Sequence, residues 1–243
     1  MLITRCFLLC LLLLSAPIMA TEKNAQFNIP LFTAHYDLYA YNIKVATAVR
    51  QLRRQQQQYV LTTDTKTIGV VSLFRNDTIK EKSVWEWKNG VIQPQHYSYK
   101  HDSKKKKRYI NIDFDWVNRW ANNTVSGEIW QVALTDDTVD KLSYQIALMR
   151  DLAQGKRNVE YSIADKGKLK TYRLQVVGEE KIKTAIGKLL TVKLIRNGSN
   201  PKRFSYLWCA PSLHYLPVKI EHHEPNNDVV EVNIQSAKFM LNQ

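Results

Sequence analysis

Residues 138–155, TVDKLSYQIALMRDLAQG, follow a different rhythm from the rest of the chain. Val139, Leu142, Ile146, Met149 and Leu152 recur at spacings of three and four, which gathers them into one stripe along a helix. Thr138, or Asp137 before it, is placed to accept hydrogen bonds from the first free amides, and Asp140 falls in the first turn. Gly155 suits the left-handed residue that follows a last turn. Tyr144, Ala147, Leu148 and Ala153 widen the stripe beyond what one sheet face requires. The spacing therefore predicts a single principal helix, enclosed on most sides.

Outward from this segment the apolar period changes to two. In RYINIDFDW, 108–116, Ile110, Ile112, Phe114 and Trp116 point one way and Tyr109, Asn111, Asp113 and Asp115 the other, because successive side chains of a strand face opposite sides. NVEYSIAD (158–165), YRLQVV (172–177), RFSYLW (203–208) and LPVKIEHH (216–223) alternate in the same manner. Turn signals separate such runs at Lys88-Asn89-Gly90, Asp165-Lys166-Gly167, Ala185-Ile186-Gly187, Asn197-Gly198-Ser199 and Pro225-Asn226-Asn227-Asp228. QLRRQQQQ at 51–58 reads as a strand end running into a loop. One apolar face per strand, with no helix between most of them, implies antiparallel pairing in a meander. Nine to twelve strands are expected, and open twisted sheets beyond about ten strands curl or split. The predicted fold is mainly β: a strongly curved antiparallel meander, a half-barrel or nearly closed barrel, packed around one α-helix. Any cavity would lie between the two.

The first twenty residues, MLITRCFLLCLLLLSAPIMA, have Arg5 ahead of an apolar run from Cys6 to Leu14 and small residues before Thr21, the layout of a secretory signal peptide cut after Ala20. The expected product is a single β-rich domain, 21–243, in the periplasm. Cys6 and Cys10 leave with the signal, so Cys209 has no partner for an intramolecular disulfide. The net charge of +13 favours anionic partners: an anionic membrane surface or acidic polysaccharide, with nucleic acid excluded by export.

Four stretches, FDW (114–116), VDKLSYQIALMRDLAQG (139–155), YRLQVVGEEKIKTAIGKLLTVKLIR (172–196) and LWCAPSLHYLPVKIE (207–221), are similar in order and spacing to a family of exported bacterial proteins grouped as a domain of unknown function. The resemblance covers about Phe32 to Phe239. It implies a periplasmic address and a mostly antiparallel β fold with one helix, and it implies no activity and no catalytic residue.

Chemistry-bearing patterns are few. In EHHE, 221–224, at most two of the four side chains share a strand face, so no metal site is expected. Cys209 with His214 nearby reads as a buried small residue rather than a nucleophile and base. Neither a GxSxG elbow, a phosphate loop nor a CxxC pair occurs, and no cofactor is expected. The aromatic residues are more suggestive. Trp85, Trp87, Phe114, Trp116, Tyr206 and Trp208, with Ile146 and Met149 of the helix, would either fill the core or line a pocket for an acyl chain or other apolar ligand. Lys104, Lys105, Lys106, Lys107 and Arg108 form a basic hairpin tip, read either as solvated or as a dock for an anionic surface. Two functions follow as expectations. One is a monomeric, non-enzymatic binder of a lipid or lipid-linked saccharide. The other is an envelope interaction protein with a packed core and a basic docking surface.

Overall fold

The protein was analysed as a computed structural model, which describes residues 29–240 except 75, 105–106, 126 and 198–200. The expected signal peptide, Lys105 and Lys106 lie outside the described residues. The first half of the chain forms β1 (Phe32–Ala40), β2 (Ile43–Gln55), β3 (Gln58–Thr67), a short helix α1 (Gly69–Phe74), β4 (Thr78–Lys88), β5 (Val91–Asp102), β6 (Lys107–Asp115), β7 (Trp120–Val125) and β8 (Glu128–Ala133). The second half forms β9 (Thr138–Val139), α2 (Ser143–Ala153), β10 (Asn158–Asp165), β11 (Lys168–Thr184), β12 (Gly187–Asn197), β13 (Phe204–Ala210), a 3-10 turn (Pro211–Leu213), β14 (Leu216–His223) and β15 (Val229–Phe239).

All fifteen strands belong to one sheet, in the order β8-β7-β6-β5-β4-β3-β2-β1-β15-β14-β13-β12-β11-β10-β9. The chain starts in the middle, meanders to one edge, passes to the other edge, and meanders back until β15 pairs with β1. Every pairing is antiparallel except the two-residue match of β9 with β10. The strand count exceeds the nine to twelve expected because β7, β8 and β9 are short and lack a full alternating pattern.

The two edges of the sheet are separated in sequence only by residues 134–137. Leu134 N donates to Arg119 O, and Ser162 Oγ on β10 donates to Asp137 Oδ2 at 3.1 Å. So short a connection brings the two edges close together, although the ladder itself stays open between β8 and β9. A sheet curled this far has a deep concave face, and α2 fills it. Val139, Leu142, Ile146, Met149 and Leu152 are all buried, together with Tyr144, Ala147 and Leu148. Opposing them are Leu52, Leu61, Trp85, Ile112, Phe114, Leu174, Leu194 and Leu207 of the sheet, all inside one apolar cluster. Ala153, expected in the stripe, faces solvent.

The helix entry also differs from expectation. Thr138 does not cap: it lies in β9, and its Oγ1 accepts a hydrogen bond from Thr135 N. Asp140 takes that role, its Oδ1 accepting from Leu142 N and Ser143 N at 2.8 Å each while Ser143 Oγ accepts from Asp140 N at 3.0 Å. Ser83 Oγ on β4 donates to the other carboxylate oxygen at 2.6 Å, which pins the helix start to the sheet. Burial lifts the Asp140 pKa above the ordinary carboxylate value, against the pull of these donors. At the far end, Gly155 takes φ +80° and Lys156 N reaches back to Asp151 O, the termination the glycine implied.

Candidate functional site

The space against the concave face differs along the length of α2. Around the middle and C-terminal part of α2 it is filled by apolar side chains. Around the N-terminal turn of α2 lies a cavity of about 320 Å³, lined by polar side chains together with Leu38, Ala48, Leu207, Ile220 and Val232. On one wall Arg50, Thr63 and Glu81 occupy neighbouring inward positions of β2, β3 and β4, since Arg50 pairs with Thr63 and Thr63 with Glu81 in the ladder. On the opposite wall Arg196, Ser205 and His222 stand in the same relation on β12, β13 and β14. Lys141, Tyr144 and Gln145 supply the helix side, and Tyr172 of β11 closes one flank.

Both guanidinium groups are held by neutral acceptors. Arg50 Nε donates to Thr63 Oγ1 at 3.2 Å and its Nη1 to Gln145 Oε1. Arg196 donates to Tyr144 Oη at 3.2 Å and to Ser205 Oγ at 2.9 Å, and its guanidinium lies 4.7 Å from the centre of the Tyr172 ring. Adjacent helix residues, Tyr144 and Gln145, thus hold arginines from opposite walls. Glu81 accepts from Tyr97 Oη at 2.6 Å, and Lys141 faces buried Asp165 at 3.6 Å. His222 Nδ1 lies 2.8 Å from Ser205 Oγ. Burial, then the nearby positive charge of Arg196, pushes its pKa from 6.5 down to about 4, so the ring is neutral at neutral pH.

The aromatic residues singled out from sequence lie elsewhere. Trp85 is fully buried, stacked on Tyr59 at 4.5 Å and met edge-on by Trp87. Phe114 stacks on Trp116, whose Nε1 donates to Pro94 O at 2.6 Å. Ile146 and Met149 are buried among them. These six fill the apolar part of that space and do not line the cavity. Tyr206 and Trp208 do not line it either: Ser205 and Leu207 take the positions of β13 that face the cavity, and Trp208 is buried in the core, 4% accessible, on the other face of the strand. There Lys193 covers both rings at 4.6 and 4.7 Å, and Lys219 lies 4.9 Å from Trp208.

In EHHE, Glu221 and His223 stand 3.3 Å apart on the outer face, while His222 points inward. Among the described residues no group of three His, Cys, Asp or Glu could hold a metal. Cys209 is buried, which raises its thiol pKa, and His214 sits on an exposed turn packed against Phe239. Of the basic hairpin, Lys104 and Lys107 are exposed beside the cavity mouth, whereas half-buried Arg108 takes an inward strand position opposite His101. Sequence reasoning passed over Arg50, Arg196, Glu81 and Gln145. The signal was parity: Arg50 shares a strand face with Ala48 and Leu52, and Arg196 with Val192 and Leu194, so each places a charge on an apolar side.

The fold is similar to that of solved structures. A beta-barrel-like protein of domain of unknown function DUF1849 from Brucella abortus aligns with TM-score 0.59 and 6% identity, over 88% of this chain and 100% of that one. A candidate lipoprotein from Parabacteroides distasonis (TM-score 0.36, 10% identity, 86% and 95% covered) and a candidate exported protein with a YmcC-like fold from Bacteroides fragilis (TM-score 0.38, 11% identity, 85% and 95% covered) are more distant. No curated protein matches. Residues 32–234 match the model of DUF3108, a protein family of unknown function, and the chain belongs to that family.

Proposed function

We propose that the protein is an exported, non-enzymatic binder that takes the head of an amphipathic envelope molecule, a lipid or lipid-linked saccharide, into the mouth of its half-barrel. The observation that carries this reading is the polar cavity of about 320 Å³ at the barrel mouth, above an interior already filled by α2. At roughly 30 Å³ per water-sized group, that space suits about ten non-hydrogen atoms, a head group rather than a long acyl chain. The apolar remainder of the ligand stays outside.

The rim supports a membrane on the other side of that opening. The β1–β2 turn and α1 follow directly on strands that line the cavity, and they expose Tyr41, Ile43, Val70 and Leu73, each more than 60% accessible. Lys104 and Lys107 stand on the same rim in the β5–β6 hairpin. Exposed apolar groups beside lysines match an anionic bilayer surface. The apolar N-terminal run and its cleavage pattern support export to the periplasm, and the protein is read as a monomer there.

Incubating purified protein with envelope lipid extract, re-isolating it and identifying bound molecules by mass spectrometry tests the reading. Saturable recovery of an amphiphile is expected. Repeated absence of any bound amphiphile, with no sedimentation on anionic vesicles, overturns it.

A second reading rests on β8. This edge strand has no ladder partner on its outer side and exposes Ile129 (73%), which favours an envelope protein partner joined by strand addition. Recovery of one defined partner from envelope fractions, lost on Ile129→Lys, would support it over the first.

A further inference from the structure

We infer that Arg50 and Arg196 together form an anion site and that the group it takes is a phosphoryl group. This deepens the head-group reading above and rests on it. Four other arginines stand beside carboxylates. Arg119 pairs with Asp136, Arg150 with Asp151, Arg173 with Glu160 and Arg203 with Glu224. Exposed Arg53, Arg54 and Arg157 are left to solvent, but a guanidinium withdrawn from water without a counter-charge is costly.

Arg50 and Arg196 are withdrawn from water in the same cavity without such a counter-charge. Their partners are Thr63 Oγ1, Gln145 Oε1, Tyr144 Oη and Ser205 Oγ, and no carboxylate pairs with either one among the described residues. Neutral acceptors fix the direction of each guanidinium and leave its charge uncompensated. Each group has five N–H donors and uses two, so each keeps three. Forks with free donors on opposite walls match an anion whose oxygens project in several directions. A phosphoryl group does this, whereas a planar carboxylate satisfies one fork at a time.

The remaining charges of the site agree. Among the cavity residues, Arg50, Arg196 and Lys141 are positive and Glu81 alone is negative, with Lys141 shared with Asp165. A phosphomonoester or phosphodiester supplies the missing negative charge. Tyr144 and Tyr172 line the same cavity, and the Tyr172 ring holds the Arg196 guanidinium against one face.

The test uses the full exported chain and three probes in isothermal titration: inorganic phosphate, dihexanoyl phosphatidic acid, and dihexanoylglycerol, which has the same tails and no phosphate. Phosphatidic acid should bind saturably, and dihexanoylglycerol at least about ten-fold more weakly. Arg50→Gln and Arg196→Gln should each weaken phosphatidic acid by about 10- to 100-fold, with the double variant silent. The outward-facing Lys193→Gln should leave it unchanged. Arg50→Lys, which keeps the charge and loses the fork, guards against loss of folding and should fall between wild type and Arg50→Gln.

The arms separate the sources and the two claims. Inorganic phosphate binding as tightly as phosphatidic acid would keep the anion site, assign it to a free phosphate and overturn the amphiphile reading. Equal binding of dihexanoylglycerol, or unchanged affinity in a folded double variant, would overturn the anion site and leave the amphiphile reading standing. No heat from any probe at millimolar concentration would overturn both.

Discussion

Trp130 and Gly167 meet across the open seam of the sheet: a Cβ placed on Gly167 in the β10–β11 turn would fall 2.7 Å from the Trp130 Cβ on β8. No ladder hydrogen bond joins these edges, so the tryptophan lying over the glycine is a side-chain contact across the seam. Gly167 also has φ +73°, a conformation costly for any other residue. Gly90 has nearly the same φ, +75°, with open space around it. Gly90→Ala should therefore cost about 1 kcal/mol from backbone alone, and Gly167→Ala about 1–3 kcal/mol more from the clash. Urea denaturation of the two variants isolates the seam contact, and equal losses would mean that the seam yields freely.

Ile146, 1% accessible on the inward face of α2, sets the second expectation. Ile146→Asp places a carboxylate in the apolar core, a penalty comparable to a domain's whole stability of roughly 5–15 kcal/mol, so no cooperative unfolding transition should be seen. Lys141 is not the harmless neighbour that its place beside the stripe suggests. It faces Asp165, whose carboxyl it and Lys170 hold below the ordinary value against the effect of burial. Lys141→Glu should cost on the order of 1–2 kcal/mol, while Ala153→Gln on the exposed side stays within about 0.5 kcal/mol.

Stability should fall with acid through His222. Its folded pKa of about 4 lies below the ordinary 6.5, so the unfolded chain binds the proton more readily. The contribution is fully present above pH 6.5, is lost as pH falls from 6.5 toward 4, and levels off below that. Its size is on the order of 3 kcal/mol. Denaturation midpoints at pH 7, 5.5 and 4 for wild type and His222→Gln measure it. The difference between the two curves should shrink across this window, and parallel curves would show that the ring is solvated.

The rim makes a separate claim on vesicles. Val70→Asp with Leu73→Asp, and independently Lys104→Gln with Lys107→Gln, should each weaken sedimentation on anionic liposomes by about ten-fold or more while leaving thermal unfolding unchanged. Loss of the lysine effect at high salt with persistence of the apolar one would distinguish the two contributions. Unaltered binding in both would detach the rim from any membrane role.

Strand phase and the helix were legible because each rests on one periodic signal. Ile110, Ile112 and Phe114 alternate as the sheet demands, and Ile146 and Met149 fall where the helical stripe puts them. The polar cavity was not legible, because it is assembled by pairing. Arg50 and Arg196 are 146 positions apart and become neighbours only when β2 and β12 curl around the same helix turn. Tyr206 and Trp208 were misread for the opposite reason. Large rings suggest a core, which Trp208 does join, but nothing local to RFSYLW says that it is buried on the face covered by Lys193 and Lys219 rather than on the cavity side. The start of α2 was missed by two to five residues because Thr138 satisfies β9 before Asp140 can open the helix.

The pairing of β1 with β15 sets an order of assembly. Phe32 faces Phe239 in the ladder, so the first strand made finds its second neighbour only when the last strand arrives. Most other strand contacts join consecutive segments and close short loops, whereas this one closes a loop of about two hundred residues and should form late. A chain made from its N-terminus therefore carries an unpaired β1 edge throughout its synthesis. Such an edge is open to pairing with other chains. Pulsed hydrogen exchange during refolding should find the β15-facing amides of β1 among the last protected, after those facing β2.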